Sequence, residues 1–209
     1  MKKTILTFVF AVAAMVGMAQ NMTEKTDKQD TVNRVNADIH LGVNYSSISF
    51  PDVGLSSNGQ AGWYGGASLQ YNISDWLGVK LGCDYSLSRS YVPDPADVFG
   101  NRLNYQQSSV IVPLTLQLGY NGAKENFTIG IGGYVNYNFN QSGAFTTLGD
   151  KKNFGGGVQY SLNMGFEHFY YEMVLRADLS ELGFHTPGVS GTYPSARLFS
   201  CMFGIGYRL

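Results

Sequence analysis

The sequence predicts an all-β fold class, an eight-stranded antiparallel up-and-down transmembrane β-barrel. The first observation is strict alternation, as in residues 195–209, where every second side chain is large and apolar and its neighbours are mostly small or polar. The second is composition, with 26 glycines, 14 tyrosines and 13 phenylalanines but only 14% charged residues. The third is that short and long connections alternate along the chain, as they do in membrane barrels.

The first 19 residues have the features of a signal peptide. Lys2 and Lys3 form a positive n-region, residues 4–16 an apolar h-region, and residues 17–19 a small-x-small cleavage site. An N-terminal anchor helix is the alternative, but the apolar run is short for a membrane span. Residues 20–35 are polar and without period, which predicts a flexible periplasmic tail.

Residues 36–209 form the predicted barrel domain, which divides into eight alternating segments. These are residues 36–50, 61–73, 77–91, 104–120, 126–140, 153–166, 169–180 and 195–209. The connections after the second, fourth and sixth segments are short, and the others are long. In outer-membrane barrels the long loops lie outside the cell, so both termini are expected in the periplasm and the protein in the bacterial outer membrane.

The two faces of each segment differ in polarity. One face is apolar and uncharged, with aromatic residues near both ends, and is expected to contact lipid, where a charge at mid-membrane costs about 2–4 kcal/mol. The other face carries polar residues and glycine. Because an eight-stranded barrel is just wide enough to be filled by side chains, this face is expected to plug the lumen.

Charged residues on the inward face are predicted to form a salt-bridged lumen network. Lys80 is expected to face Glu172 and Asp84 to face Arg176, because these residues lie at similar heights on opposite strands. The network also places Asp38 and His40 near Arg208, and its members are Asp38, His40, Lys80, Asp84, Glu172, Arg176, Asp178 and Arg208. Charges buried in a dry interior require partners, so structure alone accounts for the pairing. A path for protons or small ions is the alternative.

No motif marks an enzyme, so no catalytic residue and no cofactor are expected. An outer-membrane lipid-modifying hydrolase would need a nucleophile and a base, for which His185 near Ser180 and Glu181 is the weakly supported candidate. The histidines have no shared spacing that would predict a metal site.

Two further features have structural interpretations. Asp94 and Asp97 could bind calcium, but acids between prolines are more typical of a rigid solvated loop. Cys83 and Cys201 lie on segments that are not neighbours, so they are predicted to remain free thiols.

Pro113 interrupts the fourth segment, where a bulge or a missing ladder hydrogen bond is expected. The stretch from Ser109 to Tyr120, SVIVPLTLQLGY, resembles the apolar-Pro-Leu strand of the PorT-like outer-membrane β-barrel family. The N-terminal segment ending Met18-Ala19-Gln20 and the eight-strand layout are similar to that family as well. The resemblance implies an integral outer-membrane barrel of Gram-negative bacteria, and the founding member is associated with protein secretion.

The expected function is that of a non-enzymatic surface protein with four extracellular loops on a plugged barrel. The loops would contact a ligand, a host or a partner subunit, with Phe99, Leu148, Phe184 and Tyr193 as candidate contact residues. The expected partners are outer-membrane lipid, the barrel-assembly machinery during insertion, and an extracellular ligand or secretion partner, for a monomeric protein. A narrow pore, a secretion-associated component and a soluble lipocalin-like barrel are the alternatives.

Overall fold

The computed structural model describes residues 35–50, 55–93, 102–121, 125–143, 152–182 and 196–209. The predicted signal peptide and nearly all of the predicted periplasmic tail lie outside the described residues. So do the four loop contact candidates Phe99, Leu148, Phe184 and Tyr193, together with Asp94, Asp97 and His185.

In the described ranges, nine strands form one closed sheet. They are β1 (Val35–Phe50), β2 (Leu55–Ser56), β3 (Asn58–Ser74), β4 (Leu77–Pro93), β5 (Arg102–Asn121), β6 (Glu125–Gly143), β7 (Phe154–Phe166), β8 (Phe169–Asp178) and β9 (Arg197–Arg208). The two-residue β2 pairs with the end of β1, and the eight long strands each pair antiparallel with the next. The barrel closes where β1 pairs with β9, from Asp38 opposite Arg208 to Ser49 opposite Arg197.

The predicted fold class is confirmed, because each of the eight predicted segments corresponds to one long strand. The short β2 was not predicted, since two residues carry no periodic signal. Over the described part of the chain, no helix is long and apolar enough to cross a membrane.

The two ends of the barrel differ in their connections. At one end, here called the turn end, the strands are joined by the short connections Asp75-Trp76, 122–124 and Glu167-His168. The first residue of β1 lies at this end too. At the other end, called the loop end, the connections are 51–57 (which contains β2), 94–101, 144–153 and 179–196. The alternation of short and long connections therefore matches the sequence prediction.

The outer wall is apolar and bordered by aromatic rings. Between the two borders, no described outward-facing side chain is charged, and residues such as Leu41, Leu114 and Ile131 are exposed. The rings of Trp63 and Tyr85 lie 4.9 Å apart (centre to centre) near the loop end. At the turn end the rings of Phe169 and Tyr207 lie 5.2 Å apart. Two aromatic belts around an apolar band are typical of barrels that cross a bilayer.

Pro113 interrupts the pairing of β4 with β5. The pairing runs to Leu81 opposite Leu114 and resumes at Asp84 opposite Ile111, with the same register on both sides. Proline has no N–H to donate to the ladder, so the expected irregularity takes the form of a gap rather than a bulge.

Gly82 provides the space for the Pro113 ring, which predicts that Gly82→Ala is destabilising. A Cβ at Gly82 would lie 2.9 Å from Pro113 Cγ, and such overpacking costs about 1–3 kcal/mol in unfolding free energy. Urea unfolding in lipid vesicles measures the loss, and Gly82→Ala with Pro113→Ala should recover most of it. Gly133→Ala is the control, because its Cβ would lie 3.5 Å from the Gly157 carbonyl oxygen. Equal losses in both glycine variants would contradict the steric explanation.

Candidate functional site in the barrel lumen

The lumen is filled by layers of polar side chains. Near the turn end lies an amide layer, in which Gln70 Nε2 donates to Asn72 Oδ1 at 2.7 Å and to Asn121 Oδ1 at 3.1 Å. On the opposite wall, Asn163 Nδ2 donates to Gln117 Oε1 and to Thr128 Oγ1, each at 3.3 Å. These neutral groups hydrogen-bond to one another without charge, although Asn121 Nδ2 and Asn163 Oδ1 are buried without a hydrogen-bond partner among the described residues.

Two aspartates form the centres of the charge layer above the amides. Asp84 on β4 accepts from His40 Nε2 at 2.9 Å and from Arg176 Nη2 across the lumen. Asp38 on β1 accepts from Tyr170 Oη at 2.5 Å, and Lys80 Nζ lies 3.4 Å from its Oδ2. The two carboxylates are joined by His40, whose Nδ1 lies 3.4 Å from Asp38 Oδ1.

The remaining acids of the layer accept hydrogen bonds from tyrosines. Tyr64 on β3 donates to Glu172 Oε1 at 2.7 Å, and Tyr134 on β6 donates to Asp178 Oδ1. Arg176 Nε donates to Gln159 Oε1 at 2.6 Å. Tyrosine hydroxyls therefore act as hydrogen-bond donors to the buried acids, where the sequence prediction expected only charged partners.

Some of the predicted pairs form and others do not. Asp84 contacts Arg176 as expected, but Lys80 lies against Asp38 rather than Glu172. The reason is that Tyr64 on β3 reaches Glu172 on β8 across the lumen, while Asp38 lies nearer to Lys80 than a count from the strand starts indicated.

Arg208 lies beside the network rather than inside it. It is opposite Asp38 in the backbone register, as expected, and its guanidinium carbon lies 5.9 Å from the centre of the Tyr170 ring. The carboxylate of Asp38 instead accepts hydrogen bonds from Ser68 Oγ at 2.6 Å and from Tyr170 Oη. Arg208 thus lies over the ring whose hydroxyl contacts Asp38.

The charge layer is almost completely enclosed. Asp84 is 2% exposed, and Asp38 and Arg176 are each 4% exposed. The cavity between them, lined among others by His40, Tyr64 and Arg176, has a volume of about 20 Å³. That is close to the space needed for one water molecule.

An apolar cluster of buried side chains lies at the loop end of the barrel. This apolar cap consists of Ile48, Val92, Tyr105, Leu182, Ala196 and Leu198, with Leu103 packed against it. The backbone N–H of Leu182 donates to the Ala196 carbonyl at 2.8 Å, so the two ends of the 183–195 connection are tied together at the cap. The cap was not predicted, although apolar residues at inward positions near the strand ends are a usable signal.

The two described residues of the hydrolase candidate, Ser180 and Glu181, form contacts with neighbouring residues. Ser180 of the weakly supported hydrolase candidate donates to the Gly156 carbonyl at 3.3 Å and accepts from the Gly156 N–H at 3.0 Å. Glu181 lies 3.9 Å from Lys152 Nζ. Among the described residues no group of three histidine, cysteine or acidic side chains could hold a metal ion, and both Cys83 and Cys201 are free thiols.

Three solved structures resemble the chain at low sequence identity. Ail of Yersinia pestis, in complex with the heparin analogue sucrose octasulfate, is 12% identical, with 84% of this chain and 99% of that chain covered and a TM-score of 0.41. Neisserial surface protein A is 12% identical, with coverages of 83% and 97% and a TM-score of 0.44. The N-terminal barrel domain of Pseudomonas aeruginosa OprF is 15% identical, with coverages of 85% and 99% and a TM-score of 0.39. Comparison with curated protein sequences gives no match.

A family model matches most of the chain. The model describes an outer membrane protein beta-barrel domain and matches residues 18–187, a range that includes strands β1 to β8. The closed antiparallel barrel agrees with that description. The chain therefore belongs to the outer-membrane protein β-barrel domain family and is a protein of the Gram-negative outer membrane.

Proposed function

We propose that this protein is a non-enzymatic, plugged barrel that presents its long connections at the cell surface for contact with a ligand, a host or a partner. The single observation that carries the proposal is the filled lumen, whose central cavity is only about 20 Å³. A barrel without an aqueous path acts through its outer surface. Loops on a rigid scaffold are where binding residues are commonly found.

The lumen contents favour a plug over an ion path. The buried charges are paired with one another or bonded to tyrosines, as Asp84 is with Arg176 and Glu172 with Tyr64. Above them lies the apolar cap, which a permeating ion would have to cross without hydration. Transfer of an ion into an apolar environment is costly, so the cap opposes conduction.

The same cap supports a surface-binding role for the last connection. Leu182 and Ala196 insert into the cap and hydrogen-bond to each other, which fixes both ends of residues 183–195 on the barrel. Phe184 and Tyr193 of this connection, with Phe99 and Leu148 of two others, are the proposed contact residues.

Orientation and processing form part of the proposal. The loop end faces the outside of the cell and the turn end the periplasm, in line with the usual placement of short turns in outer-membrane barrels. Residues 1–19 act as a signal peptide and residues 20–35 as a periplasmic tail. The protein inserts through the barrel-assembly machinery as a monomer, and the strand around Pro113 supports a PorT-like subfamily.

Planar-bilayer recording tests the plug. The purified protein is expected to give no steady openings under a voltage at which a general porin, reconstituted in the same way, conducts. The physical reason is that the charge layer and the apolar cap leave no continuous aqueous path. Reproducible, steady openings from the folded protein would contradict the plugged lumen and favour the narrow pore.

A further inference from the structure

The two ends of the barrel carry opposite charge. Among the described residues, the exposed acids at the turn end are Asp75, Glu125 and Glu167. In the part of the chain that the structure describes, the exposed lysines and arginines all lie at the loop end, and these are Arg89, Arg102, Lys152 and Arg197. Lys152 lies 3.9 Å from Glu181, the single exposed acid described at that end. None of the three arginines forms an ion pair with another described residue.

Two of these arginines lie on one continuous surface. Arg89 is opposite Gln106 in the pairing of β4 with β5, Tyr91 is opposite Asn104, and Arg102 follows at the end of the ladder. Cross-strand partners point to the same side of a sheet, and the exposure of Arg89, Tyr91, Arg102 and Asn104 places that side outward. Arg89, Tyr91, Arg102, Asn104 and Gln106 are together called the arginine patch.

The height of the arginine patch places it outside the hydrocarbon core, beyond the aromatic belt at the loop end. Tyr85, on the same face of β4, belongs to the aromatic belt at the loop end. With a rise of about 3.4 Å per residue and a strand tilt of about 40°, Arg89 lies about 10 Å beyond Tyr85 along the membrane normal. Arg102, at the level of the last β4 residue, lies about 20 Å beyond Tyr85 by the same rise and tilt.

This spacing distinguishes between kinds of lipid. The polar layer of an ordinary phospholipid leaflet is only about 5–8 Å thick. A phospholipid headgroup at the belt would therefore approach Arg89 but not Arg102. A lipid with a phosphorylated saccharide headgroup extends far enough outward to contact both.

We propose that the arginine patch binds the phosphorylated saccharide headgroup of a glycolipid in the outer leaflet. The guanidinium groups of Arg89 and Arg102 bind phosphate oxygens with paired N–H donors. Between them, the Tyr91 ring packs against a sugar face, and the amides of Asn104 and Gln106 hydrogen-bond to hydroxyl groups. This assignment rests on the proposed orientation, in which the loop end faces outward.

Lipid titration of the folded barrel in detergent micelles, followed by native mass spectrometry, tests the site. The probes are bisphosphorylated lipid A, the same lipid A after enzymatic removal of its phosphates, and dioleoyl phosphatidylglycerol. Loss of a charged hydrogen bond weakens binding roughly tenfold or more. Bisphosphorylated lipid A should therefore bind at least about tenfold more tightly than either other lipid.

Matched arginine variants identify the residues responsible. Arg89→Gln with Arg102→Gln should reduce lipid A affinity to that of the dephosphorylated lipid, and each single change should give part of the loss. Arg197→Gln is the control, because it removes an exposed arginine from the same end on β9. Heat-dependent gel mobility verifies that each variant is folded. Wild-type affinity in the double variant, equal loss in Arg197→Gln, or equally tight binding of phosphatidylglycerol would overturn the assignment.

The result of the lipid titration does not depend on the result of the planar-bilayer recording. Binding occurs on the outer wall and is measured on purified protein, so a conducting barrel could still bind lipid A through the arginine patch. Conversely, a barrel that does not conduct could fail to bind it.

Discussion

Asp84→Ala is expected to lower the unfolding free energy of the barrel by about 3–5 kcal/mol. The carboxylate is the shared acceptor of His40 Nε2 and Arg176 Nη2, and all three side chains are buried. Removing it leaves a buried guanidinium without its ion pair. A buried charge that loses its partner costs far more than the net stabilisation the pair provides.

Urea unfolding in lipid vesicles measures this loss, with Asp75→Ala as the control. Asp75 is an exposed aspartate in the turn between β3 and β4, so its removal should change stability little. In an Arg176→Met background the same Asp84→Ala change should cost much less, because the unpaired charge is already absent. A loss no larger than that of Asp75→Ala would show that the Asp84 contacts do not stabilise the fold.

Ile131→Arg is expected to cost about 2–4 kcal/mol in unfolding free energy when the protein is in a bilayer. Ile131 lies on the outward face of β6, between Phe127 near the turn end and Tyr137 near the loop end, and is 47% exposed. An arginine there would face the hydrocarbon core. The cost arises from placing the charge in lipid, since the position has no steric restriction.

Ser142→Arg is the matched control for Ile131→Arg. Ser142 is exposed on the same strand beyond the aromatic belt, so its arginine would remain in the polar layer. Unfolding by urea from phospholipid vesicles should separate the two variants clearly. If both lost the same stability, the wall of β6 would not lie in hydrocarbon, and the soluble lipocalin-like alternative would regain support.

The fold was predictable because two-residue periodicity carries most of the information in a barrel. Alternation assigned Ile131 to the wall and Asp84 to the lumen, and the structure places both there. Adjacent strands of an up-and-down barrel pair in chain order, so β4 and β8 had to lie on opposite sides. The contact between Asp84 and Arg176 follows from those two facts.

The partner of Lys80 was not predictable by the same route. Residue heights were counted from strand starts, whereas neighbouring strands of a closed barrel are staggered by its shear. The count therefore placed Lys80 opposite Glu172, although its ammonium lies 3.4 Å from Asp38. A network predicted from charges does not include Tyr64 and Tyr170, which bond to Glu172 and Asp38, because a phenol carries no charge.

The apolar cap and the arginine patch were not predictable from the sequence for two other reasons. Leu182 and Ala196 of the cap lie outside the long strands, where periodicity gives no facing direction. Arg89 and Arg102 lie on strand extensions beyond the aromatic belt, and the composition of the whole chain, with net charge −1, does not reveal their grouping at one end. Such grouping requires the three-dimensional register.

The pairing of the first strand with the last has a consequence for how the molecule folds. Asp38 and Arg208 are opposite each other although nearly the whole described chain separates them, so this ladder has very high contact order. Asp38 also bonds to Tyr170, 132 residues away, so the charge layer is completed only after β8 and β9 are in place. Until then β1 is an unpaired edge. Assembly should therefore be slow and end in a single late closure of the barrel.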